Sequence, residues 1–277
     1  MNKTNPEQGK PALKALIFDV DGTLADTERH GHRVAFNRAF ASFGLDWVWS
    51  EALYGELLRI TGGKERIRHY LSGLPAETRR RLADLPIAEI HQLKTRYYAE
   101  LVSQGGVALR PGILRLIKEA KEAGLKLAIA TTTTMENIIA LVQAGFGQAA
   151  HELFDVIAAG DMVASKKPAP DVYVLALEKL GLASNQCLAM EDSEVGLASA
   201  TGAGIATVIT LNDYTVGQDF STATTVFDQL GEADNPCRCL SGVAPAGNCV
   251  DLESLRHIHR QARVPGWIRN GADPACP

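Results

Sequence analysis

Short apolar runs alternate with amphipathic segments along most of the chain. The apolar run Ala12–Phe18 is followed directly by polar residues, which predicts a buried strand that ends in a loop. The same pattern predicts four later strands, at Leu125–Ala130, Asp155–Ala159, Cys187–Met190 and Ala206–Leu211. Helical patterns separate them, in a segment opened by Pro111 and closed by Gly124 and at Glu136–Ala144, Asp171–Leu180 and Ser193–Thr201. Strands that alternate with helices are typical of a parallel sheet with right-handed crossovers.

A long segment between the first and second strands has only the helical pattern. Apolar residues recur there at helical spacing, as in Phe36, Phe40, Phe43, Ile87, Ile90, Tyr97 and Leu101. No strand-like run occurs before Gly105 and Gly106. We therefore predict an α/β fold, with a Rossmann-like parallel-sheet core at 12–25 plus 106–232 and an inserted all-helical cap domain at 26–105. Residues 1–11 form an N-terminal extension in this scheme.

The residues after Glu232 do not continue the alternation of strands and helices. They are rich in turn formers, and one short helix is indicated by Leu252, Leu255 and Ile258. With His257 and His259 nearby, a zinc site is conceivable, but no standard metal signature matches the spacing of Cys237, Cys239, Cys249 and Cys276. We expect reduced cysteines in a poorly structured C-terminal extension, 233–277, whose role the sequence leaves open.

Composition and charge exclude several classes of partner. The 277-residue chain has a net charge of -4 and a pI near 6.0, so neither nucleic acid nor a membrane surface is an expected partner. No apolar run approaches the ~20 residues that a membrane-spanning helix needs. The polar N-terminal residues lack the apolar middle of a signal peptide. We expect a cytoplasmic protein and a monomer.

Two carboxylates follow the first predicted strand, in the sequence Asp19-Val20-Asp21-Gly22-Thr23. Side chains two residues apart at a strand end point to the same side, so one carboxylate can attack phosphorus while the other transfers a proton. Both also offer oxygen atoms to a hard cation. An acidic loop that caps a helix is the alternative interpretation.

Two later strand ends carry groups that suit a phosphate. Thr131 ends the second predicted strand, where a hydroxyl and backbone amides can bind a phosphate oxygen, although a threonine-rich helix cap explains the run equally well. Lys166 and Lys167 follow the third strand, and a lysine there would offset the charge of a phosphate beside Asp19. We favour Lys167 because Pro168 restricts the chain next to it; a solvated surface lysine is the alternative.

Two further carboxylates follow the fourth predicted strand, at Glu191 and Asp192. Mg²⁺ binds about six oxygen atoms and usually keeps several waters. Asp19, the backbone carbonyl of Asp21 and Asp192 would leave room for those waters, with Glu191 placed to hold one of them. Carboxylates cannot gather at one edge of a sheet without a cation, which favours a metal site over an ordinary helix cap.

These four segments, in this order, resemble the motifs of the haloacid dehalogenase superfamily, and the resemblance spans nearly all of residues 12–232. It implies that Asp19 is the nucleophile and Asp21 the general acid/base. It implies a Mg²⁺ site formed by Asp19, Asp21, Asp192 and Glu191, and a transferring phosphate bound by Thr131, Thr132 and Lys167. The helical insert is similar to the mobile cap of that family.

A narrower resemblance concerns the substrate. The segment DVDGTLADTE is similar to the β-phosphoglucomutase-like branch, and residues 61–66, 130–134, 154–173 and 188–197 are similar to the CbbY-type xylulose-1,5-bisphosphate phosphatases. Those enzymes remove an inhibitory side product of Rubisco in the Calvin cycle. The resemblance implies substrate contacts from Glu28, Gly62, Gly63, Lys64, Glu65, Arg66, Thr132, Thr133 and Thr134. It also places His32 near the histidine that joins cap and core in this branch, although a partly exposed helix histidine is an alternative.

A bisphosphate must be held at the end that does not react. The Gly62-Gly63 turn offers backbone amides, and Lys64 and Arg66 offer two cations for that purpose. The start of a helix with solvated charges is the alternative interpretation of this segment.

We therefore expect a Mg²⁺-dependent phosphatase of a small phosphorylated sugar that acts through a phospho-aspartyl intermediate. A phosphosugar mutase would use the same residues and pass the phosphoryl group to a sugar hydroxyl. A phosphatase of a small monophosphate, such as phosphoglycolate, would not need Lys64 and Arg66. A catalytically inactive scaffold is disfavoured because Asp19 and Asp21 are both present.

Overall fold

The computed structural model describes residues 11–262, and a seven-stranded sheet lies at its centre. The strands are β1 (Ala15–Phe18), β2 (Lys126–Ala130), β3 (Val156–Ala158), β4 (Cys187–Glu191), β5 (Ala206–Thr210), β6 (Thr225–Phe227) and β7 (Cys239–Ser241). Their order is β3-β2-β1-β4-β5-β6-β7, and every pair is parallel except the antiparallel pair β6–β7. The predicted α/β fold with a parallel sheet is confirmed.

Helices cover both faces of this sheet. They are α6 (Ile113–Glu122), α7 (Met135–Phe146), α8 (Ala150–Leu153), α9 (Asp171–Leu180), α10 (Glu194–Gly202) and α11 (Leu252–Gln261), and α1 to α5 precede them in the insert. Successive residues of β1 point to opposite faces, so Leu16 and Phe18 pack with α6, α7 and α11, whereas Ala15 and Ile17 pack with α9 and α10. Both faces are buried, which explains why the strands read as continuous apolar runs.

Residues 26–105 form helices and no strand, as predicted for the insert. Its helices are α1 (Arg33–Ser42), α2 (Glu51–Leu57), α3 (Gly63–Ser72), α4 (Ala76–Arg81) and α5 (Ile87–Ser103), and one π-helical turn, Glu28–His32, precedes α1. Aromatic side chains dominate a separate hydrophobic cluster here, which includes Phe36, Phe40, Trp47, Trp49 and Tyr54. The insert therefore has a core of its own, and we continue to treat 26–105 as the proposed cap.

The buried stripe of α5 differs from the one predicted. Its deepest side chains are Ile90, Lys94, Tyr98 and Val102, whereas Tyr97 and Leu101 are only half-buried. These four positions are spaced by four residues, so they lie on one face of the helix. A lysine therefore occupies the middle of an otherwise apolar stripe.

The chain passes between sheet and insert twice, at adjacent positions. Ala25 and Leu109 form an antiparallel bridge. The amide of Asp26 donates to the carbonyl of Ala108 at 3.2 Å, and the amide of Arg110 donates to that of Leu24 at 3.0 Å. The two crossings therefore form a short paired ribbon beside the end of β1.

The expectation of a poorly structured C-terminal extension is wrong for the part that the structure describes. β7 adds an antiparallel edge to the sheet, and α11 packs Leu252, Leu255 and Ile258 into the main core. The helix itself was predicted from these same residues. Cys237, Cys239 and Cys249 are free thiols, and Cys276 lies outside the described residues.

No helix within residues 11–262 combines the length and the apolar character that crossing a bilayer requires.

Candidate active site

Three neighbouring strands end at the same edge of the sheet. β1 lies between β2 and β4, and Asp19 follows it directly. β2 ends just before Thr131, and β4 ends at Glu191, just before Asp192. Ligands of open parallel sheets bind outside the carboxyl ends of the strands, so this edge is the candidate active site.

Three buried carboxylates meet at this edge. Asp19, Glu191 and Asp192 each present one oxygen atom, and these atoms lie within 4.8 Å of one another. Carboxylates this close repel one another unless a cation neutralises them, and Mg²⁺ prefers oxygen ligands of this kind. The donor set therefore fits a hard divalent cation. In the part of the chain that the structure describes, no other group of acidic, histidine or cysteine side chains is arranged in this way.

Lys167 places a positive charge inside this acidic cluster. Its Nζ atom donates to Asp19 Oδ1 at 2.7 Å and to Glu191 Oε1 at 2.6 Å. The Tyr173 hydroxyl donates to the same Glu191 oxygen at 2.7 Å. Burial alone would lower the pKa of Lys167, but Asp19 and Glu191 raise it above its ordinary value, so the ammonium group stays charged.

The pKa values of the acidic residues reflect their crowding. Burial raises the pKa of Asp19 to about 7, with Lys167 opposing the shift and Glu191 and Asp21 adding to it. Burial, together with the charges of Asp19 and Glu191, also raises the pKa of Asp192 well above its usual range. A bound divalent ion would oppose both shifts, because it stabilises the ionised carboxylates.

Gly22, in the loop after β1, allows that loop to lie close to Asp192 at the end of β4. Its φ angle is +86°, a conformation that other residues rarely adopt. A Cβ atom at this position would lie 2.3 Å from Asp192 Oδ2 and 2.6 Å from Asn212 Nδ2. Glycine is therefore required here both by the backbone conformation and by the space available.

Asp21 is held by residues from the start of the insert. Thr27 Oγ1 donates to Asp21 Oδ1 at 2.7 Å, and His32 Nε2 lies 2.8 Å from the same oxygen. The other ring nitrogen of His32, Nδ1, lies 2.7 Å from Lys94 Nζ. The ring of His32 also stacks on Tyr98, with their centres 4.1 Å apart. A chain of contacts therefore connects the proposed acid/base to α5.

The partners of His32 assign its tautomer. Burial lowers the pKa of Lys94 to about 8, which still leaves it protonated at pH 7. An ammonium group can only donate, so His32 Nδ1 accepts and Nε2–H donates to Asp21. Burial would raise the pKa of Asp21, but the hydrogen bonds from His32 and Thr27, with the nearby charge of Lys94, lower it to about 2. Asp21 is therefore ionised in the ligand-free site.

The threonine run after β2 lines the site with hydroxyl groups. Thr131 is buried, and its Oγ1 accepts a hydrogen bond from the amide of Thr133 at 3.3 Å. Asn137 donates to Thr133 Oγ1 at 2.9 Å. Thr134 Oγ1 and Asn137 Oδ1 are buried, and neither has a hydrogen-bond partner among the described residues. These two atoms are therefore available to a ligand.

The insert contributes a second set of polar groups above the sheet. Arg66 is 8% exposed and donates to the carbonyls of Leu57 at 3.1 Å and Ile60 at 3.4 Å, and to the Tyr54 hydroxyl at 3.0 Å. Tyr54 in turn donates to Glu28 Oε2 at 2.5 Å. Most donors of Arg66 are therefore already used by the insert, and its role there is partly structural.

The loop cations near Arg66 have different environments. Lys166 pairs with Glu65 Oε2 at 3.3 Å, so of the two adjacent lysines it is Lys167 that reaches the acidic cluster. Glu65 is thus engaged in an ion pair between core and insert. Gly62 has a φ angle of +94°, which lets α3 begin at Gly63 close to this pair.

Two cavities that share several lining residues lie between sheet and insert. The larger, of about 410 Å³, is lined by Asp19, Asp21, Glu28, Gly62, Arg66, Thr131, Thr132, Lys167 and Asp192, together with Arg59 and Tyr214. The smaller, of about 60 Å³, also contacts Asp21, Glu28, Gly62, Arg66 and Thr132 and adds Gly63, Lys64, Thr133, Thr134, Lys166, His91 and Lys94. Most residues named from the sequence are therefore brought to one cleft, whereas Glu65 and the fully buried Glu191 line neither cavity.

Several site residues were not found from the sequence. Lys94 could have been, because a lysine in the apolar stripe of α5 requires a buried partner. Thr27, Tyr173, Arg110 and Asn212 carry no such signal, because their contacts depend on how loops meet in the folded chain.

Comparison with known proteins agrees with this geometry. The family model described as haloacid dehalogenase-like hydrolase matches residues 13–204. The chain is 55% identical to protein CbbY of Rhodobacter capsulatus over 211 residues, which cover 76% of this chain and 91% of that protein. It is 52% identical to the plasmid-borne CbbY of Cupriavidus necator, over 89% of this chain and 97% of that one.

A solved structure of a CbbY variant from Rhodobacter sphaeroides, in complex with xylulose-(1,5)bisphosphate, is also similar. It is 48% identical, with a TM-score of 0.74, over 80% of this chain and 98% of that chain. The family match and the arrangement of the site both indicate a phosphate-transferring hydrolase. The chain belongs to the haloacid dehalogenase-like hydrolase family, and it is a phosphatase of that family.

Proposed function

We propose that this phosphatase is Mg²⁺-dependent and removes one phosphoryl group from a pentulose bisphosphate, such as xylulose 1,5-bisphosphate, through a phospho-aspartyl intermediate on Asp19. The observation that carries the proposal is the buried cluster of Asp19, Glu191 and Asp192 around the ammonium group of Lys167. The similarity to CbbY proteins, one of them solved with that bisphosphate, supports the substrate class.

Asp19 carries out the first step as nucleophile. Its carboxylate oxygen attacks phosphorus in line with the sugar oxygen, the P–O bond to the sugar breaks, and the leaving oxygen takes a proton from Asp21. In the second step a water oxygen attacks phosphorus, the bond to Asp19 breaks, and Asp21 accepts the proton of that water. The products are inorganic phosphate and a sugar that keeps its other phosphate.

Asp21 must gain a proton before the first step, because its pKa is about 2 in the ligand-free site. A phosphate dianion bound beside Asp21 would raise that pKa, since like charges disfavour ionisation. Both Thr27 and His32 contact a single oxygen of Asp21, Oδ1. The two residues therefore orient the carboxyl group while the proton is exchanged.

Positive charge and hydrogen-bond donors offset the negative charge of the transferring phosphoryl group. Lys167 lies 2.7 Å from the nucleophilic carboxylate and offsets the repulsion between it and a phosphate. Thr131 and Thr132 line the same cavity. Asp19, Glu191 and Asp192 would hold Mg²⁺, with the backbone carbonyl of Asp21. When bound, the ion would neutralise the carboxylates and withdraw charge from the phosphate oxygens.

The smaller cavity suits the phosphate that does not react. Three lysines line it, Lys64, Lys94 and Lys166, and Thr134 Oγ1 there lacks a partner among the described residues. Its lining shares Gly62 and Thr132 with the catalytic cavity, so the two cavities are adjacent. The sequence-based choice of Lys64 is compatible with this position, whereas Arg66 would act from the wall that both cavities share.

A phosphate-release screen tests the proposal. We expect rapid release of one phosphate per molecule of xylulose 1,5-bisphosphate with Mg²⁺ and none with a chelator. Hexose 1-phosphates, ribulose 1,5-bisphosphate and phosphoglycolate serve as comparison substrates. Faster turnover of phosphoglycolate, or an isomerised hexose phosphate without phosphate release, would overturn the assignment in favour of a monophosphatase or a mutase.

A further inference from the structure

The loop that follows β5 touches both the acidic cluster and the insert. Asn212, Asp213 and Tyr214 are consecutive, and each contacts a different part of the molecule. We call the segment Asn212–Tyr214 the β5 loop. None of its residues was singled out from the sequence.

The side-chain amide group of Asn212 contacts both Asp192 and the backbone of the β5 loop. Its Nδ2 donates to Asp192 Oδ2 at 2.6 Å, and its Oδ1 accepts a hydrogen bond from the amide of Tyr214 at 2.9 Å. The orientation is fixed by chemistry, because a carboxylate can only accept and a backbone N–H can only donate. One side chain therefore sets the position of a proposed metal ligand and the course of the β5 loop.

The next two residues reach the insert. Asp213 pairs with Arg29 at 3.0 Å, and the ring of Tyr214 contacts Tyr54 edge-on, with their centres 6.1 Å apart. Gly55 provides the space, because a Cβ atom there would lie 2.9 Å from Tyr214 Cδ1. Tyr54 in turn donates to Glu28 and accepts from Arg66, which both line the catalytic cavity.

Hydrogen bonds from Arg110 hold the start of the β5 loop in place. A displacement of Asn212 would therefore shift Tyr214 and would not be taken up by movement of the whole loop. Arg110 donates to the carbonyls of Gly22, Thr210, Leu211 and Asp228, which belong to the first motif and to the ends of β5 and β6. Arg110 is also part of the paired crossing between sheet and insert. The β5 loop therefore starts from a fixed point beside the paired ribbon formed by the two crossings.

We propose that the β5 loop is a latch that couples metal binding at Asp192 to closure of the insert over the active site. A metal ion orders Asp192, Asp192 orders Asn212, and Asn212 holds Tyr214 against Gly55 and Tyr54. Linkage makes the coupling reciprocal, so contacts between Tyr214 and the insert strengthen metal binding although Tyr214 touches no metal ligand. The inference rests on the proposed Mg²⁺ site and not on the identity of the substrate.

Metal binding to the substrate-free full-length protein tests one direction. Mg²⁺ titrations by calorimetry would compare the native protein with Tyr214→Ala and with Tyr214→Phe as the matched control. We expect Tyr214→Ala to weaken Mg²⁺ binding about fivefold or more, a typical size for coupling between sites. Tyr214→Phe should bind nearly as the native protein does, because it keeps the ring that contacts Tyr54 and loses only the hydroxyl group, which faces Arg29.

Hydrogen exchange tests the other direction. We expect Mg²⁺ to slow amide exchange in α2 of the native protein but not of Asn212→Ala. If Tyr214→Ala does not fold, Gly55→Ala serves in its place, because its added methyl group displaces the same ring. Equal Mg²⁺ affinity of the native protein and Tyr214→Ala, or Gly55→Ala in its place, would overturn the latch, and so would amide exchange in α2 that does not respond to Mg²⁺. A native protein that binds no Mg²⁺ would overturn the proposed metal site as well.

Discussion

The charged residues at the sheet edge and those in the insert have different hydrogen-bond partners. At the sheet edge, Lys167 makes two hydrogen bonds shorter than 2.8 Å, and both acceptors are proposed reactive or metal-binding carboxylates. In the insert, Arg66 donates to two carbonyls and a tyrosine hydroxyl, and Glu65 pairs with Lys166 of the core. The groups proposed for the chemistry thus lie at buried positions of the sheet edge, whereas those proposed for recognition also hold the insert together or join it to the core.

This contrast predicts that substitutions at the two places fail in different ways. Loss of a sheet-edge residue should lower kcat, because the transition state loses charge stabilisation that no neighbour replaces. Loss of an insert residue that would contact only the substrate should raise KM for some substrates and leave others unaffected. Lys94 is the exception in the insert, because His32 connects it to Asp21. The following tests order these effects by size.

The largest effect is expected for Asp19→Asn. The amide cannot form the acyl phosphate, so kcat should fall by about 10⁴-fold or more, as it does when catalytic nucleophiles are removed. Steady-state phosphate release measures it, and thermal unfolding checks the fold. Activity near that of the native protein would show that the nucleophile lies elsewhere and would erase the contrast.

A smaller loss of kcat is expected for Lys94→Met. The substitution removes the charge that keeps His32 Nδ1 an acceptor, so Asp21 loses its fixed partner and kcat should fall about 10- to 100-fold, part of the value of general acid/base catalysis. The control is Lys118→Met, on an exposed face of α6 where the side chain is 76% exposed. A changed KM with unchanged kcat would place Lys94 in recognition instead.

Recognition by the insert is tested with Lys64→Ala. Removal of one cation from the smaller cavity should raise KM for a pentulose bisphosphate about tenfold, in line with one charge-assisted contact. KM for a monophosphate should not change, because that cavity would be empty. Equal effects on both substrates would mean that Lys64 acts on the reacting phosphate, and the two regions would then share one role.

The smallest effect concerns stability in acid. Burial lowers the pKa of His91 to about 3, and the charges of Lys94, Lys64 and Lys166 add to the shift. The unfolded chain then binds the proton between pH 6.5 and 3 while the folded chain does not, so stability falls as the pH drops through that range.

Urea unfolding at pH 7 and pH 5 measures the contribution of His91. His91→Asn should reduce the loss of stability between these two values by on the order of 1–2 kcal/mol. An unchanged loss would show that His91 titrates alike in the folded and unfolded chains, and that the insert is less tightly packed here than the sheet edge.

Features of the fold and the site that depend on local sequence pattern could be predicted from the sequence. Strand ends can be located from local pattern, so Asp19, Thr131, Glu191 and Asp192 could be placed at one edge before the structure was known. The stripe of α5 was misplaced by one residue because Tyr97 and Tyr98 are equally apolar, and only the packing of Tyr98 on His32 distinguishes them. β6 and β7 are three residues each and carry no periodic signal.

Contacts between distant segments could not be predicted from local pattern. Asn212 and Asp192 are joined across twenty residues, and Arg110 collects carbonyls from the first motif to Asp228. The C-terminal helix was foreseen from its apolar spacing, but its burial against the core was not, because the turn-rich residues before it conceal the return of the chain to the sheet.

The paired crossing between Ala25 and Leu109 has a consequence for how such a molecule can vary. The two points at which the chain passes between sheet and insert are paired with each other. For the sheet, the whole insert is therefore equivalent to a loop whose two ends are held together. The entropic penalty of closing a loop grows only with the logarithm of its length, so a longer, shorter or altered insert changes that penalty little. A lineage could therefore exchange one insert for another, and with it one substrate for another, without rebuilding the sheet that performs the reaction.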